Sequence, residues 1–442
     1  MNRLMAGVLL LWMISGACYA EANDVLQDKA MQIHGMLHKE ELNLEVTEDK
    51  RSALLRLAIV AQEGRNVDET MRISGEMLAG ETDAGVLAEI YFNRGYVCAV
   101  NGRYVEAYNE LNSALAAVPS HAAARRLRSR VLFQLYLLPD SPYRNTETYL
   151  LHLEDYNIAL QSGMDDPMAY YGRGFVCGML AQTDESYRAK AHADMEKFLQ
   201  LTEKDPGSYR NMRAYCYEHL ARSAEKEGRL RDAAALYEKA ALTYDNKDSV
   251  ILNHYCCIEM LQKLGDKKGV IRQLDAIIET ADKPALLRGM YEWRGTEYYG
   301  LGRYGKALQD FQSEKKISPD RPDAYNNCAM ALMAMKRYEE ALAEADKAIE
   351  LSGGRAGMRS AGLDTRADIL LHMGKAAEAL ACHLQIDENE ITGVELYTRA
   401  RIYEALGEDA RAAEALKHSL RLGSEKDEEA VKLLGKIAAR QQ

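Results

Sequence analysis

Residues 88–121, AEIYFNRGYVCAVNGRYVEAYNELNSALAAVPSH, constrain this chain more than any other stretch. Read as two short helices about Gly102, they put Tyr91, Arg94, Gly95 and Cys98 on one face of the first helix. Tyr104, Ala107, Leu111 and Ala114 follow on one face of the second, and Pro119 ends the run. Small residues at Gly95, Ala107 and Ala114 let two helical backbones approach closely, while Tyr91, Tyr104 and Leu111 fill the space beside them. The product is a helical hairpin with apolar surface on both sides, which becomes stable only when further copies stack against it.

Such copies fill the chain. The small position of the first helix recurs as Gly95, Ser129, Gly174, Ala221, Ile258, Gly295, Ala329, Ala367 and Ala400, and the uneven spacing between these anchors confines extra residues to turns. Pro119, Pro167, Pro206, Pro284, Pro319 and Pro322 fall at predicted joins, and Pro139 and Pro142 in an insertion, so none interrupts a predicted helix. Residues 88–121 resemble the tetratricopeptide repeat, a unit of roughly 34 residues with aromatic, Leu, Gly and Tyr in its first helix and Ala, Phe, Ala, then Pro, in its second. Arg94 stands where the pattern has Leu and Cys98 where it has Tyr. Two later copies fit almost throughout, one on Tyr291, Gly295, Tyr298, Gly302, Ala307, Phe311 and Pro319, the other on Tyr325, Ala329, Leu332, Tyr338, Ala341 and Ala348. The resemblance implies an all-α fold, a right-handed α-solenoid of stacked helix-turn-helix repeats.

Residues 1–20 carry one basic residue, Arg3, an apolar run from Leu4 to Ile14 and small residues up to Ala20, the layout of a secretory signal. The rival reading is a lipoprotein signal with Cys18 lipidated, against which Ser15 occupies a place that normally holds an apolar residue. The expected organisation is a signal peptide at 1–20, a leader helix or linker at 21–48, about ten repeats over 49–426 and a capping helix at 427–442. The first repeats are degenerate and an insertion lies near 137–147. The leader implies a periplasmic or secreted protein, of bacterial type.

The chain holds 67 acidic against 56 basic residues, a formal net charge of −11. The acids are spread along it, which argues against nucleic acid and against an anionic membrane surface as partners. Beyond the leader no apolar run is long enough to span a membrane.

Little in the sequence does chemistry. His34 and His38 would share a helix face, but no Glu follows the first and no third ligand is visible, so no metal is expected. There is no C-x-x-C, and Cys98, Cys177, Cys257 and Cys328 sit at internal first-helix positions as small hydrophobes. The one bridge worth testing joins Cys216 to Cys256 or Cys257. With no nucleophile elbow, phosphate loop, zinc-hydrolase motif or isolated carboxylate pair, neither an enzyme nor a cofactor is expected.

Function then lies on the stacked surface. In repeats of this family the first helices line the concave face, and carrying its inward positions onto this chain implies Phe92 and Tyr96, Arg126 and Arg130, then Tyr171 and Phe175. Four rings flanking two guanidiniums could stack on a peptide while the arginines pair with a carboxylate or phosphate. The competing expectation is that these rings fill an intramolecular seam. Arg94, Arg128, Arg173, Arg294, Arg366 and Arg399 recur at one internal position and read as structural stems whose heads pair with second-helix acids. The sequence therefore predicts a non-enzymatic scaffold or assembly factor of the cell envelope, binding a peptide segment or partner helix on the concave face and able to self-associate through its ends. The alternative is a module for glycan or lipid-linked precursors using the same groove.

Overall fold

The computed structural model describes residues 47–62, 66–161, 166–353, 355–389 and 391–440. The expected signal peptide, Cys18, the His34–His38 pair and the leader up to residue 46 lie outside the described residues. The described residues form 21 α-helices and one 3-10 turn, without a strand. They fall into two compact units that divide between Leu264 and Gly265.

The first unit holds α1 (Glu48–Gln62), α2 (Val67–Leu78), α3 (Ala84–Val100), α4 (Tyr104–Ala117), α5 (Ala122–Leu137), α6 (Thr146–Gln161), α7 (Pro167–Leu180), α8 (Arg188–Leu201), α9 (Arg210–Lys226), α10 (Leu230–Thr243) and α11 (Lys247–Lys263). The second holds α12 (Lys267–Thr280), α13 (Pro284–Gly300), α14 (Tyr304–Ile317), α15 (Pro322–Ala334), α16 (Tyr338–Leu351), α17 (Ala356–His372), α18 (Ala376–His383), α19 (Gly393–Ala405), α20 (Asp409–Leu422) and α21 (Asp427–Arg440). Within each unit consecutive helices pack as antiparallel pairs. First helices also touch first helices, α1 to α3, α3 to α5 and α5 to α7 in one unit, α15 to α17 and α17 to α19 in the other. This is the all-α stack of helix-turn-helix repeats expected from the sequence. No helix among the described residues is long and apolar enough to cross a membrane.

The small positions do what the pattern requires. A Cβ built on Gly95 would stand 2.8 Å from Leu111 Cγ, and one on Gly295 would stand 2.6 Å from a Phe311 ring atom. The turns repeat as closely: Gly102 and Gly302 take φ of +74° and +70°, and in each the following arginine amide donates back across the helix end, Arg103 to Cys98 O and Arg303 to Tyr298 O. Lys336 occupies the same place before Arg337 with φ of +62°. Pro167, Pro284 and Pro322 each open a helix, where a missing N–H costs nothing. The insertion after α5 is held by Arg144, which donates to Tyr136 O at 2.6 Å and Leu138 O at 2.9 Å.

Five of the six recurring arginines pair with second-helix acids as expected, Arg399 reaching instead an acid of the loop before α19, and several bridge two repeats. Arg128 forks onto Asp155 of its own second helix and donates by Nη1 to Asn112 of the preceding one. Arg173 does the same with Asp194 and Asn157, and Arg294 with Asp310 and Asp275. Arg94 reaches Glu110, Arg366 reaches Asp346 and Arg399 reaches Glu388.

Candidate functional site

The six residues singled out on the first helices all lie in the first unit, Phe92 and Tyr96 on α3, Arg126 and Arg130 on α5, Tyr171 and Phe175 on α7. Three of them, Arg126, Arg130 and Tyr171, line one cavity of about 30 Å³ between α5, α6 and α7. Ser129, Gln134, Tyr156 and Asp166 complete its polar wall, and Phe133, Met168 and Gly172 contribute to its apolar wall.

Local sequence explains how the wall is set. Arg126, Arg130 and Gln134 follow one another at steps of four, so they rise along one stripe of α5. Asp166 is the N-cap of α7, its Oδ1 accepting from the Met168 amide at 2.9 Å, and its Oδ2 accepts from Arg130 Nη2 at 3.3 Å. The Ser129 hydroxyl donates to Arg126 O at 2.8 Å. Tyr156 reaches the cavity because position 172 is glycine: a Cβ there would fall on the Tyr156 hydroxyl. Burial raises the Tyr156 phenol above its ordinary range and lowers buried His152, which stacks on Tyr156 with centroids 4.4 Å apart, to about 3. Gln134 is 1 % exposed, and neither Nε2 nor Oε1 has a hydrogen-bond partner.

Three of the four rings are enclosed. Phe92, Tyr96 and Tyr171 are 7 %, 6 % and 2 % exposed, and Phe175 is half-buried. Tyr171 packs edge-on against Phe133 of α5 and Tyr215 of α9 and tilts against Phe198 of α8. Phe175 meets Phe133, Tyr136 and Tyr215. The expected open stacking surface is therefore a seam at Tyr171 and Phe175, because first helices approach closely enough for each ring to find a ring from the next repeat. Phe92 lies beside His121, 5.4 Å between centroids, away from the cavity. The arginines stay half-buried at the cavity wall. Gln134, Tyr156 and Asp166 were not singled out from the sequence; Gln134 could have been, since it continues the Arg126–Arg130 stripe.

Other reactive groups are withdrawn. The seven cysteines beyond the leader are thiols, and the one bridge worth testing, Cys216 to Cys256 or Cys257, is not formed. The reason is packing: Cys216 is fully enclosed in the core around Phe198 and Met212, while Cys257 Sγ donates to Ala234 O. Burial pushes the thiols of Cys177 to about 11 and of Cys256 and Cys328 to about 12, which removes the thiolate a nucleophile needs. In the second unit Glu292, Glu314 and Asp323 bring carboxylate oxygens within 4.8 Å of one another. Arg288 reaches Glu292 and Glu314 and Arg321 pairs with Asp323, so guanidiniums already hold the place a cation would take. Burial and the two neighbouring acids raise the enclosed Glu314 carboxyl to about 7.

Residues 322–354, which include α15, the Lys336 turn and α16, match the family model of the tetratricopeptide repeat. No curated protein matches the chain. Among solved structures it is similar to a tetratricopeptide repeat protein from Parabacteroides merdae, at 21 % identity over 61 % of this chain and 99 % of that one, with a TM-score of 0.38. It is similar also to YrrB, described as a tetratricopeptide repeat protein with an unusual peptide-binding site, at 20 % identity over 50 % of this chain and 99 % of that one, TM-score 0.30. A third, a thermophilic repeat protein in Thermus thermophilus, shares 17 % identity over 43 % of this chain and 99 % of its own, TM-score 0.36.

Proposed function

We propose that this chain is a non-enzymatic protein-interaction scaffold or assembly factor of the cell envelope, which holds a peptide segment or a partner's helix along its first-helix face. One observation carries the reading: Arg126, Arg130 and Tyr171, taken from two helices by position alone, line a single cavity whose wall ends in a buried amide. A partner side chain entering there would be fixed in register while the rest of its segment lies across neighbouring first helices. The alternative, a glycan or lipid-linked precursor, needs ring faces open to a sugar, and the enclosure of Tyr171 weighs against it. Export rests on residues 1–20, with simple cleavage after the small-residue exit and lipidation at Cys18 as the rival; the mass of the mature protein separates the two.

The test replaces Arg126 and Arg130 together by Glu in the full chain and, in both the parent and the double variant, places a photo-crosslinker at Met168 of the cavity wall, with a control at the exposed Leu242 on α10. We expect the Met168 probe to capture a defined partner segment from envelope extract, the Leu242 probe not to, and the double variant carrying the Met168 probe to lose capture. Unchanged capture by the double variant overturns the anchor. Glycan-array binding with no crosslinked protein supports the alternative.

A further inference from the structure

The polar groups of the cavity wall are not equally satisfied. Arg130 pairs with Asp166, Asp166 also caps α7, and Ser129 donates to the backbone of α5. Gln134 differs: it is buried, and both its donor and its acceptor are unanswered. Buried polar groups are normally paired, because an orphan loses its water without replacement.

We propose that this cavity reads a carboxamide: an Asn or Gln side chain of the bound partner segment enters between α5, α6 and α7 and pairs amide to amide with Gln134. The inference deepens the partner-binding reading of this face and rests on it.

Complementary hydrogen-bonding valence selects the ligand. Gln134 presents N–H and C=O side by side, so the group that satisfies it must accept and donate in the same plane. A carboxylate only accepts; Arg126 and Arg130 could meet its charge, but it would leave Gln134 Oε1 orphaned. An ammonium only donates and would meet the guanidiniums of Arg126 and Arg130. A carboxamide answers both atoms of Gln134, and Asp166 can accept its second N–H. Size agrees. A cavity of about 30 Å³ has room for about two waters, each needing roughly 10–15 Å³ in this measure, or for one planar amide head. A main-chain amide, substituted on both sides, is the poorer fit. Phe133, Met168 and Tyr171 supply the apolar wall along which the stem would lie.

The test uses the full chain with glutamine side-chain amides labelled by nitrogen-15, titrated with N-acetylglutamine N-methylamide and, separately, with N-acetylglutamate N-methylamide. The two probes share a backbone and differ only in the head. We expect the glutamine probe to move the Gln134 side-chain resonances and to bind about tenfold more tightly, as two added hydrogen bonds imply. Gln134→Met, checked for folding by its thermal melt, should remove that preference. Equal binding of the two probes, preference for the glutamate probe, no binding of either, or a crystal soaked in the glutamine probe with only ordered waters on Gln134 overturns the proposal. The parent reading fails separately: if the glutamine probe binds but the Met168 crosslinker captures no segment, the cavity is a carboxamide site without the proposed partner. If a segment is captured that places no Asn or Gln at the cavity, the partner face stands and the carboxamide falls.

Discussion

At the scale of single residues, two glycines and one lysine show how little freedom the turns and the cavity wall allow. Gly302 and Lys336 occupy the same left-handed turn position in consecutive repeats, with φ of +70° and +62°. A Cβ in that region crowds the following carbonyl at roughly 1–2 kcal/mol. We expect Lys336→Gly to raise unfolding free energy by about 0.5–1 kcal/mol, after allowance for the looser unfolded chain, and Gly302→Ala to lower it by about 1 kcal/mol, both read by urea denaturation. Gly172 is needed for a different reason, since Tyr156 fills the space a side chain would take. Gly172→Ala should displace the Tyr156 ring at a cost of about 1–3 kcal/mol, and the same titration should show the glutamine probe lost from the remodelled cavity. Both kinds of glycine are visible in the sequence, but only the turn kind has a readable signal, its place before Arg103 or Arg303 and an aromatic. Nothing local to position 172 announces Tyr156, which arrives from another helix.

At the scale of elements, the recurring arginines decide how one helix pair is tied to the next. In Arg173 the fork onto Asp194 holds its own second helix and the remaining nitrogen, donating to Asn157, holds the preceding one. Asp194 is 4 % exposed in its side chain, so removing the guanidinium strands a buried carboxylate. Arg173→Met should cost about 3–5 kcal/mol in equilibrium unfolding. Arg103, whose pair with Glu106 is exposed on both sides, supplies the control, and Arg103→Ala should leave the unfolding midpoint unchanged. The sequence shows these arginines recurring at one internal position and predicts their pairing with second-helix acids, which all but Arg399 make. It does not show the second arm, because Asn112, Asn157 and Asp275 belong to the preceding repeat and are ordinary surface residues until the repeats stack.

At the scale of the whole molecule, buried histidines of the first unit and a buried glutamate of the second respond to acid in opposite senses. In the first unit burial lowers His152 to about 3 and His219 to about 4, and lowers His192 as well. Each binds a proton in the unfolded chain before it does so in the folded one, so stability is full above about pH 6.5 and is lost as pH falls toward 4. In the second unit Glu314 has its carboxyl raised to about 7. The folded state there holds a proton that the unfolded chain releases above about pH 4.5, so its contribution is full at pH 4.5 and is lost as pH rises toward 7. Hydrogen exchange on the intact chain, corrected for intrinsic rates, should show protection falling in α6 and α9 between pH 7 and 5 while it rises in α14. Glu314→Gln should abolish the rise and leave the fall in place. Loss of protection in α14 on acidification would contradict the sign assigned to Glu314.

The sequence by itself determined that this chain builds helix pairs, where they turn and which small residues let them meet, because that information is carried within one hairpin by periodicity, glycine and proline. It determined also that the cysteines act as apolar side chains, since they sit at internal helical positions. Only the tertiary structure decided which groups remain available. Tyr171 and Phe175 share their helix positions with groove residues, yet Phe133 and Tyr215 from adjoining repeats enclose them. Gln134, one more polar residue on a mixed helix, becomes the unsatisfied amide of a cavity walled by α6 and α7. Exposure and hydrogen-bond satisfaction are properties of neighbours in space, and no stretch of this chain contains its own neighbours.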